Sequence, residues 1–194
     1  MQKTIFLLLA LSVIFSCSDK ESASKSVFVD TSRSFFPVTE YILGQIHELY
    51  STPVTPLKIT TYKGNTDSIW MKPEQTKTFV QNFITPVIDS AKLHNMFKEK
   101  SFLDQSINAF TLTYDPIKKL ADTFALRGWN IYIDADANKV KRIYIEKNFT
   151  QEDASYSQKL TWRSDHYCKI ITVNKNDTSS QDIKEEQLIW NFDE

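Results

Sequence analysis

Two residues whose side chains support nucleophilic catalysis, His166 and Cys168, lie two positions apart in the second half of the sequence. Residues two apart on a β-strand share a face, so this spacing would place an imidazole beside a thiol. An active pair also needs a lowered thiol pKa and a third group that orients the imidazole. The adjacent Asp165 would point to the opposite face of a strand, and the pattern therefore favours a half-buried structural cysteine.

Three side chains of a short turn, Asp134, Asp136 and Asn138, match the first three ligand positions of a calcium-binding loop, D-x-D-x-N. The match ends there, because Lys139 stands where the loop needs glycine and Ile145 stands where it needs a bidentate glutamate. The HExxH and CxxC spacings of zinc sites are also absent from the sequence. We therefore expect a charged hairpin turn, and we predict no metal site and no cofactor.

Two pairs of adjacent acids, Glu152-Asp153 and Glu185-Glu186, are the remaining candidates for acid–base chemistry. Their ordinary interpretation is solvated surface, although a fold can bring carboxylates together from distant positions to form a hydrolase site. With three glycines in the chain, a Gly-rich phosphate loop is excluded. The basic residues around one predicted hairpin alternate with acids and predict a solvated face: Lys139, Lys141, Arg142 and Lys147.

The tryptophans form the most suggestive group, since all four fall on predicted strands with inward or nearly inward parity. Packing in the core is the plain interpretation, because aromatic residues dominate protein cores. The alternative is an aromatic-lined sheet face that holds an apolar ligand. On that alternative, the candidate ligand-binding residues are Trp129, Trp162 and Trp190.

The elements that would position these residues begin with two predicted helices. Apolar residues recur at helical spacing after Pro37, up to Pro53, and again between Pro73 and Pro86. Between the helices, Leu57 to Lys63 and Ser68 to Lys72 predict a hairpin with its turn at Gly64-Asn65.

From Asn108 onward the apolar period changes to two, which predicts a series of antiparallel strands. A bulge at Arg127-Gly128 would bring Phe124 and Leu126 onto the same face as Trp129. A later hairpin would place Tyr167, Ile171 and Val173 against Leu160 and Trp162, and a closing strand carries Leu188, Trp190 and Phe192. The order of elements predicts an α+β fold, with N-terminal helices packed on an antiparallel β-meander that could curve into a half-barrel.

The first residues of the chain have the layout of an export signal. Lys3 provides a positive charge, and the apolar run Ile5–Phe15 would make a helix of about 16 Å, too short for a ~30 Å hydrocarbon core. Ile14-Phe15-Ser16-Cys17 resembles the lipobox of bacterial lipoproteins, with Phe15 departing from the usual small or aliphatic residue. The resemblance implies cleavage before Cys17 and a diacylglycerol on its sulfur, usually with an acyl chain on the new amino terminus.

These features predict three segments: a lipoprotein signal peptide over 1–16, a lipidated Cys17 with a flexible serine-rich tether over 17–34, and one α+β domain over 35–194. Ser18 follows the cysteine, and the absence of Asp there points by analogy to the outer membrane, on its periplasmic or cell-surface side. The net charge of −1 gives no electrostatic basis for binding nucleic acid.

Beyond the lipobox, the chain resembles small uncharacterised lipoproteins of Bacteroidetes. The resemblance rests on the start Phe35-Phe36-Pro37-Val38, the turn Asp67-Ser68 and the strand Ile143-Tyr144-Ile145-Glu146-Lys147. It implies a lipid-anchored envelope protein and assigns no catalytic residue. We expect a non-enzymatic protein that binds a protein partner or an apolar ligand, and the alternative is a surface hydrolase whose carboxylates meet in the fold.

Overall fold

The computed structural model describes residues 35–88, 90–176 and 183–193. These residues belong to one compact unit. The predicted signal peptide and tether, including Cys17, lie outside the described residues and stay predictions.

In the part of the chain that the structure describes, three helices precede most of the strands. Helix α1 spans Val38–Ser51, α2 spans Pro73–Ile84 and the short α3 spans Ser90–Leu93. Pro73 opens α2 because a proline at the first helical position loses no hydrogen bond there. In the described residues, no helix has both the length and the apolar character needed to cross a membrane.

Nine strands of the described residues form a single sheet in which every neighbouring pair is antiparallel. The central strands of the sheet alternate between buried and more exposed positions because one face is turned to a buried core, whereas the strand Asn65–Trp70 is exposed along its whole length. Their bounds are β1 Leu57–Tyr62, β2 Asn65–Trp70, β3 Phe97–Asp104, β4 Ala109–Pro116, β5 Leu126–Asp134, β6 Val140–Gln151, β7 Ala154–Arg163, β8 Tyr167–Asn174 and β9 Ile183–Ile189.

The sheet order is β2-β1-β9-β8-β7-β6-β5-β4-β3, so seven strands form a meander and the first hairpin joins its far end. Strand β1 pairs with β9 from Leu57 opposite Ile189 to Tyr62 opposite Lys184. The end strands β2 and β3 do not pair with each other, and the sheet is not closed into a barrel. The predicted antiparallel meander is confirmed, but the architecture is mostly β with few helices, which corrects the balance expected from an α+β fold.

One face of the sheet, here called the inner face, carries the core. Directly opposite positions on β4 to β8 place Tyr114, Trp129, Ile145, Leu160 and Ile170 in one buried row across it. Side chains of both longer helices belong to the same buried cluster. The ring centroids of Phe83 on α2 and Trp162 on β7 are 5.3 Å apart.

The predicted bulge is confirmed at the start of β5. The register with β6 shifts between Leu126 and Gly128, and Leu126 and Trp129 are both buried on the inner face. A Cβ atom at Gly128 would lie 3.1 Å from the carbonyl oxygen of Tyr114, which is tighter than ordinary contact. Glycine therefore lets the bulge approach the neighbouring strand closely.

Candidate functional site

The three candidate tryptophans pack against rings of their own chain. Trp129 stacks on Tyr114 with 4.6 Å between centroids and contacts Phe97 at 4.8 Å. Trp162 lies between Phe83 and Trp190, each with its centroid 5.3 Å away. Trp129 and Trp162 are fully buried, whereas Trp190 is half-buried just beyond β9.

None of these tryptophans lines either of two cavities, of about 230 and 210 Å³, found in the described part of the chain. The indole nitrogens Nε1 of Trp129 and Trp162 have no hydrogen-bond partner among the described residues, which is unusual for buried tryptophan. An apolar ligand would have to displace core rings to reach Trp129 or Trp162. Ligand binding by these residues stays a prediction.

The His166 and Cys168 pair does not form a nucleophilic site. Cys168 is buried on the inner face opposite Trp162, and burial raises the pKa of its thiol well above the ordinary value. A thiol held neutral is a poor nucleophile. His166 lies in the turn before β8, where its carbonyl oxygen accepts hydrogen bonds from the backbone N–H groups of Trp190 and Asn191. Cys168 is thus a core residue, and it is fully buried rather than half-buried.

The Asp134 turn is held by its own polar contacts. Oδ1 of Asp134 accepts the backbone N–H groups of Asp136 and Ala137, and Oδ2 pairs with Nζ of Lys141 at 3.1 Å. These hydrogen bonds and the lysine lower the pKa of Asp134. No group of metal-ligating side chains was found among the described residues. The two hydrogen bonds to Oδ1 of Asp134 give the turn the Asx-type geometry of a charged hairpin.

The acids Glu185 and Glu186 lie on opposite faces of β9, because neighbours on a strand alternate. Glu185 pairs with Lys169 at 3.2 Å. Glu186 lies on the inner face and pairs with Lys58 at 2.6 Å and Lys184 at 3.1 Å. Burial alone would raise the pKa of Glu186, but the two lysines outweigh it and lower that pKa.

The second acidic pair, Glu152 and Asp153, forms the turn between β6 and β7 with positive φ at both residues. Positive φ is the usual backbone geometry of a two-residue hairpin turn. These acids therefore serve the turn and face solvent as exposed residues.

The opposite face of the sheet, here called the outer face, carries a row of aromatic and arginine side chains. Tyr132 on β5 lies directly opposite Arg142 on β6, Arg142 opposite Arg163 on β7, and Arg163 opposite Tyr167 on β8. Directly opposite residues share a face with Cβ atoms about 5 Å apart. We call these four half-buried residues the arginine–tyrosine row.

The two arginines of the row have no ion-pair partner among the described carboxylates. The guanidinium of Arg142 lies over the Tyr132 ring, with Cζ 4.2 Å from its centroid. Two acids of the outer face have other partners: Glu146 accepts a hydrogen bond from the Tyr144 hydroxyl at 2.7 Å, and Glu185 pairs with Lys169. Like charges directly opposite each other destabilise a sheet. The arginine–tyrosine row carries two positive charges that have no ion-pair partner in the described part of the chain.

Sequence patterns missed this row for a specific reason. Tyr167 was expected on the face of Trp162, whereas the register places Cys168 and Ile170 there and turns Tyr167 outward. Arg142 was interpreted as part of a solvated face, and its neighbour Arg163 is brought beside it only by the pairing of β6 with β7. One sequence feature could have predicted the row: Arg142 and Arg163 both point outward on adjacent predicted strands.

No family model, no curated protein and no solved structure matches this chain. Interpretation of the site therefore depends on the geometry of its residues.

Proposed function

We propose that this chain is a lipid-anchored, non-enzymatic protein of the cell envelope, whose arginine–tyrosine row binds an acidic surface of a partner protein. The observation that carries the proposal is the direct opposition of Arg142 and Arg163 without a carboxylate partner among the described residues. Folding gains nothing from this opposition, whereas an approaching carboxylate would pair with both guanidinium groups.

The composition of the row fits a protein partner. Tyrosine and arginine are enriched at the energetic centres of protein–protein interfaces, while lysine and glutamate are depleted there. Tyr132, Arg142, Arg163 and Tyr167 form such a group on four consecutive strands. Because guanidinium groups bind carboxylates in a two-pronged geometry, the expected partner surface presents aspartate or glutamate side chains beside apolar atoms.

The outer face of the sheet is free to bind a partner if the helices cover the inner face. The contacts that support this arrangement are the ring contact of Phe83 with Trp162 and the hydrogen bonds from Nζ of Lys147 to the carbonyl oxygens of Asn82 and Thr85. Both reach the inner face of the sheet from α2 and the residue after it. We infer that the helices cover the inner face and leave the outer face to a partner.

The other expected functions have less support. A carrier of drug-sized or larger apolar ligands has less support, because the two cavities described above, of about 230 and 210 Å³, are smaller than the about 300–1,000 Å³ of pockets for such ligands. A hydrolase would need carboxylates free to act, and Glu185 and Glu186 are each paired with lysine. Protein binding is therefore the function we favour.

The location is part of the proposal. The lipobox-like sequence ending at Cys17 supports lipid anchoring, and Ser18 supports the outer membrane by analogy. Two or three acyl chains on one residue would hold the chain firmly on a bilayer. The acidic partner would then be another envelope protein within reach of the tether.

Site-specific photo-crosslinking in intact cells tests the proposed interface. A photoreactive amino acid replaces Thr161, which lies on the outer face two residues before Arg163 and opposite Tyr144. We expect one discrete crosslinked species from this position. The same label at Leu43, an exposed position of α1, should give none of it.

The charge requirement separates specific docking from chance proximity. Replacing Arg142 and Arg163 together by alanine should remove the crosslinked species. The matched control replaces Lys118 and Lys119, two exposed lysines of the loop after β4, and should leave its yield unchanged. Equal crosslinking from Thr161 and Leu43, or equal loss in the two double variants, would overturn the proposal.

A further inference from the structure

A second feature of the molecule is a cleft of about 210 Å³ between the end of α1 and the start of α2. Its buried apolar lining includes Leu49 and Met71, while Tyr50 and Val54 line it as exposed residues. The cleft is separate from the arginine–tyrosine row and shares no residue with it. A concave apolar surface with partly exposed apolar residues at its edge is typical of a binding pocket.

A single buried hydroxyl lines this cleft without a partner. Thr76 on α2 is 1% exposed, and its Oγ1 has no hydrogen-bond partner in the part of the chain that the structure describes. Thr78 in the same helix donates to the Glu74 carbonyl oxygen at 3.0 Å, the usual arrangement for a helical threonine. Since a buried unpaired hydroxyl is costly, Thr76 is the group that a ligand would satisfy if its side chain turned the buried Oγ1 toward the cleft.

The volume limits what the cleft could hold. A cavity of about 150 Å³ in another protein binds benzene, so about 210 Å³ accommodates one ring with a small substituent. Thr76 can donate or accept one hydrogen bond. We propose that the cleft binds a neutral phenol-sized ring, whose single hydroxyl pairs with Thr76.

Electrostatics favours a neutral ligand over an anionic one. Burial raises the pKa of the Tyr50 hydroxyl, and the nearby carboxylate of Glu74 raises it further. The same negative charge would oppose a carboxylate or a phenolate in the cleft. No lysine or arginine lines the cleft to offset it.

Methionine methyl NMR on the detergent-solubilised full chain gives a direct readout. The sequence has three methionines, of which Met71 lines the cleft and Met96 does not. With ¹³C-labelled methyl groups and p-cresol as the probe, we expect a saturable shift of the Met71 signal and no shift for Met96. The absence of a Met71 shift, or equal shifts of both signals, would overturn the proposal.

The role of the hydroxyl is tested by comparing two ligands in two proteins. Thr76→Val keeps the shape of the side chain and removes its hydroxyl, so p-cresol should bind about fivefold more weakly. Toluene, which has the ring and no hydroxyl, should bind both proteins equally. A Thr76→Val variant that binds p-cresol as tightly as the unchanged protein would contradict the assigned pairing.

A variant at the edge of the cleft gives a test that does not disturb the helix. Val54→Trp fills the cleft from an exposed loop position and should abolish the Met71 shift; its persistence would contradict the proposal.

A free phenol and a tyrosine side chain of a partner share this chemistry, and N-acetyltyrosinamide distinguishes them. If it shifts Met71 as p-cresol does, a partner's tyrosine is an occupant; if p-cresol alone does so, the occupant is a small molecule.

Discussion

Lys147 is a charged residue in a place where charges are rare. It is 7% exposed on β6, and its Nζ donates to the carbonyl oxygens of Asn82 and Thr85 around the end of α2. The sequence pattern predicted a solvated lysine, because it could not show that the end of a helix lies over this position. An ammonium group at a helix C-terminus satisfies carbonyl groups that have no partner in the helix.

The pKa of Lys147 gives a pH-dependence with a defined sign. Burial lowers this pKa to about 8, below the value of about 10.4 in an unfolded chain. Between these values the unfolded chain binds more protons than the folded one, so the free energy of unfolding rises with pH. We expect it to rise from pH 7 to 10 by about 2 kcal/mol more than in a Lys147→Met variant.

Urea unfolding of both proteins at several pH values measures this difference, and the variant controls for titration of all other groups. If the free energy of unfolding changes with pH in the same way for both proteins, Lys147 keeps its ordinary pKa in the folded state.

At the scale of elements, local patterns predicted the first hairpin and the bulge but not every register, and the turn of that hairpin is Lys63-Gly64, one residue before the predicted Gly64-Asn65. The β1–β2 hairpin, the start of α2 at Pro73 and the bulge before Trp129 depend on neighbouring residues, and sequence shows these. The pairing of β1 with β9 joins segments far apart in the chain and depends on the whole sheet. The arginine–tyrosine row depends on the three registers that join β5 to β8, and alternation within single strands does not give them.

The β1–β9 junction contains an ion pair whose contribution to stability can be measured. Glu186 on β9 is held by Lys58 of β1 and by Lys184, and these lysines lower its pKa despite burial. A carboxyl with a lowered folded-state pKa stabilises the fold above its unfolded pKa and loses this effect as pH falls through the folded pKa. Glu186→Gln should lower the free energy of unfolding at pH 7 by about 1–3 kcal/mol.

The same comparison in acid provides the check. As pH falls below about 4, the difference between Glu186→Gln and the unchanged protein should shrink toward zero. A difference that stays constant from pH 7 to pH 3 would mean that shape, and not charge, makes Glu186 important at the junction.

At the scale of the whole molecule, the predicted anchor would fix the location of the protein, and the proposed surface on the domain would bind its partner. The first residues predict where the protein works, since a lipobox is a local sequence pattern ending at Cys17. The binding surface could not be predicted in the same way, because it forms only when β5 to β8 pair.

Replacing the anchor residue tests the predicted location. Cys17→Ala removes the sulfur that would carry the diacylglycerol, so the protein should move from the membrane fraction to the soluble fraction or stay as an uncleaved precursor. Cell fractionation with size analysis measures both results. A processed Cys17→Ala protein that remains in the membrane fraction to the same extent would exclude the lipid anchor.

The central claim is that the arginines of the arginine–tyrosine row serve binding and not folding. The most direct measurement is the free energy of unfolding of Arg163→Gln by urea titration at pH 7. We expect the variant to be as stable as the unchanged protein, or more stable by up to about 1 kcal/mol at low salt, because it removes a like charge opposite Arg142. Lys169→Gln, which removes the pair with Glu185, is the matched control and should lose up to about 1 kcal/mol. A loss of more than about 1 kcal/mol in Arg163→Gln would show that the arginine supports the fold, and would contradict the claim.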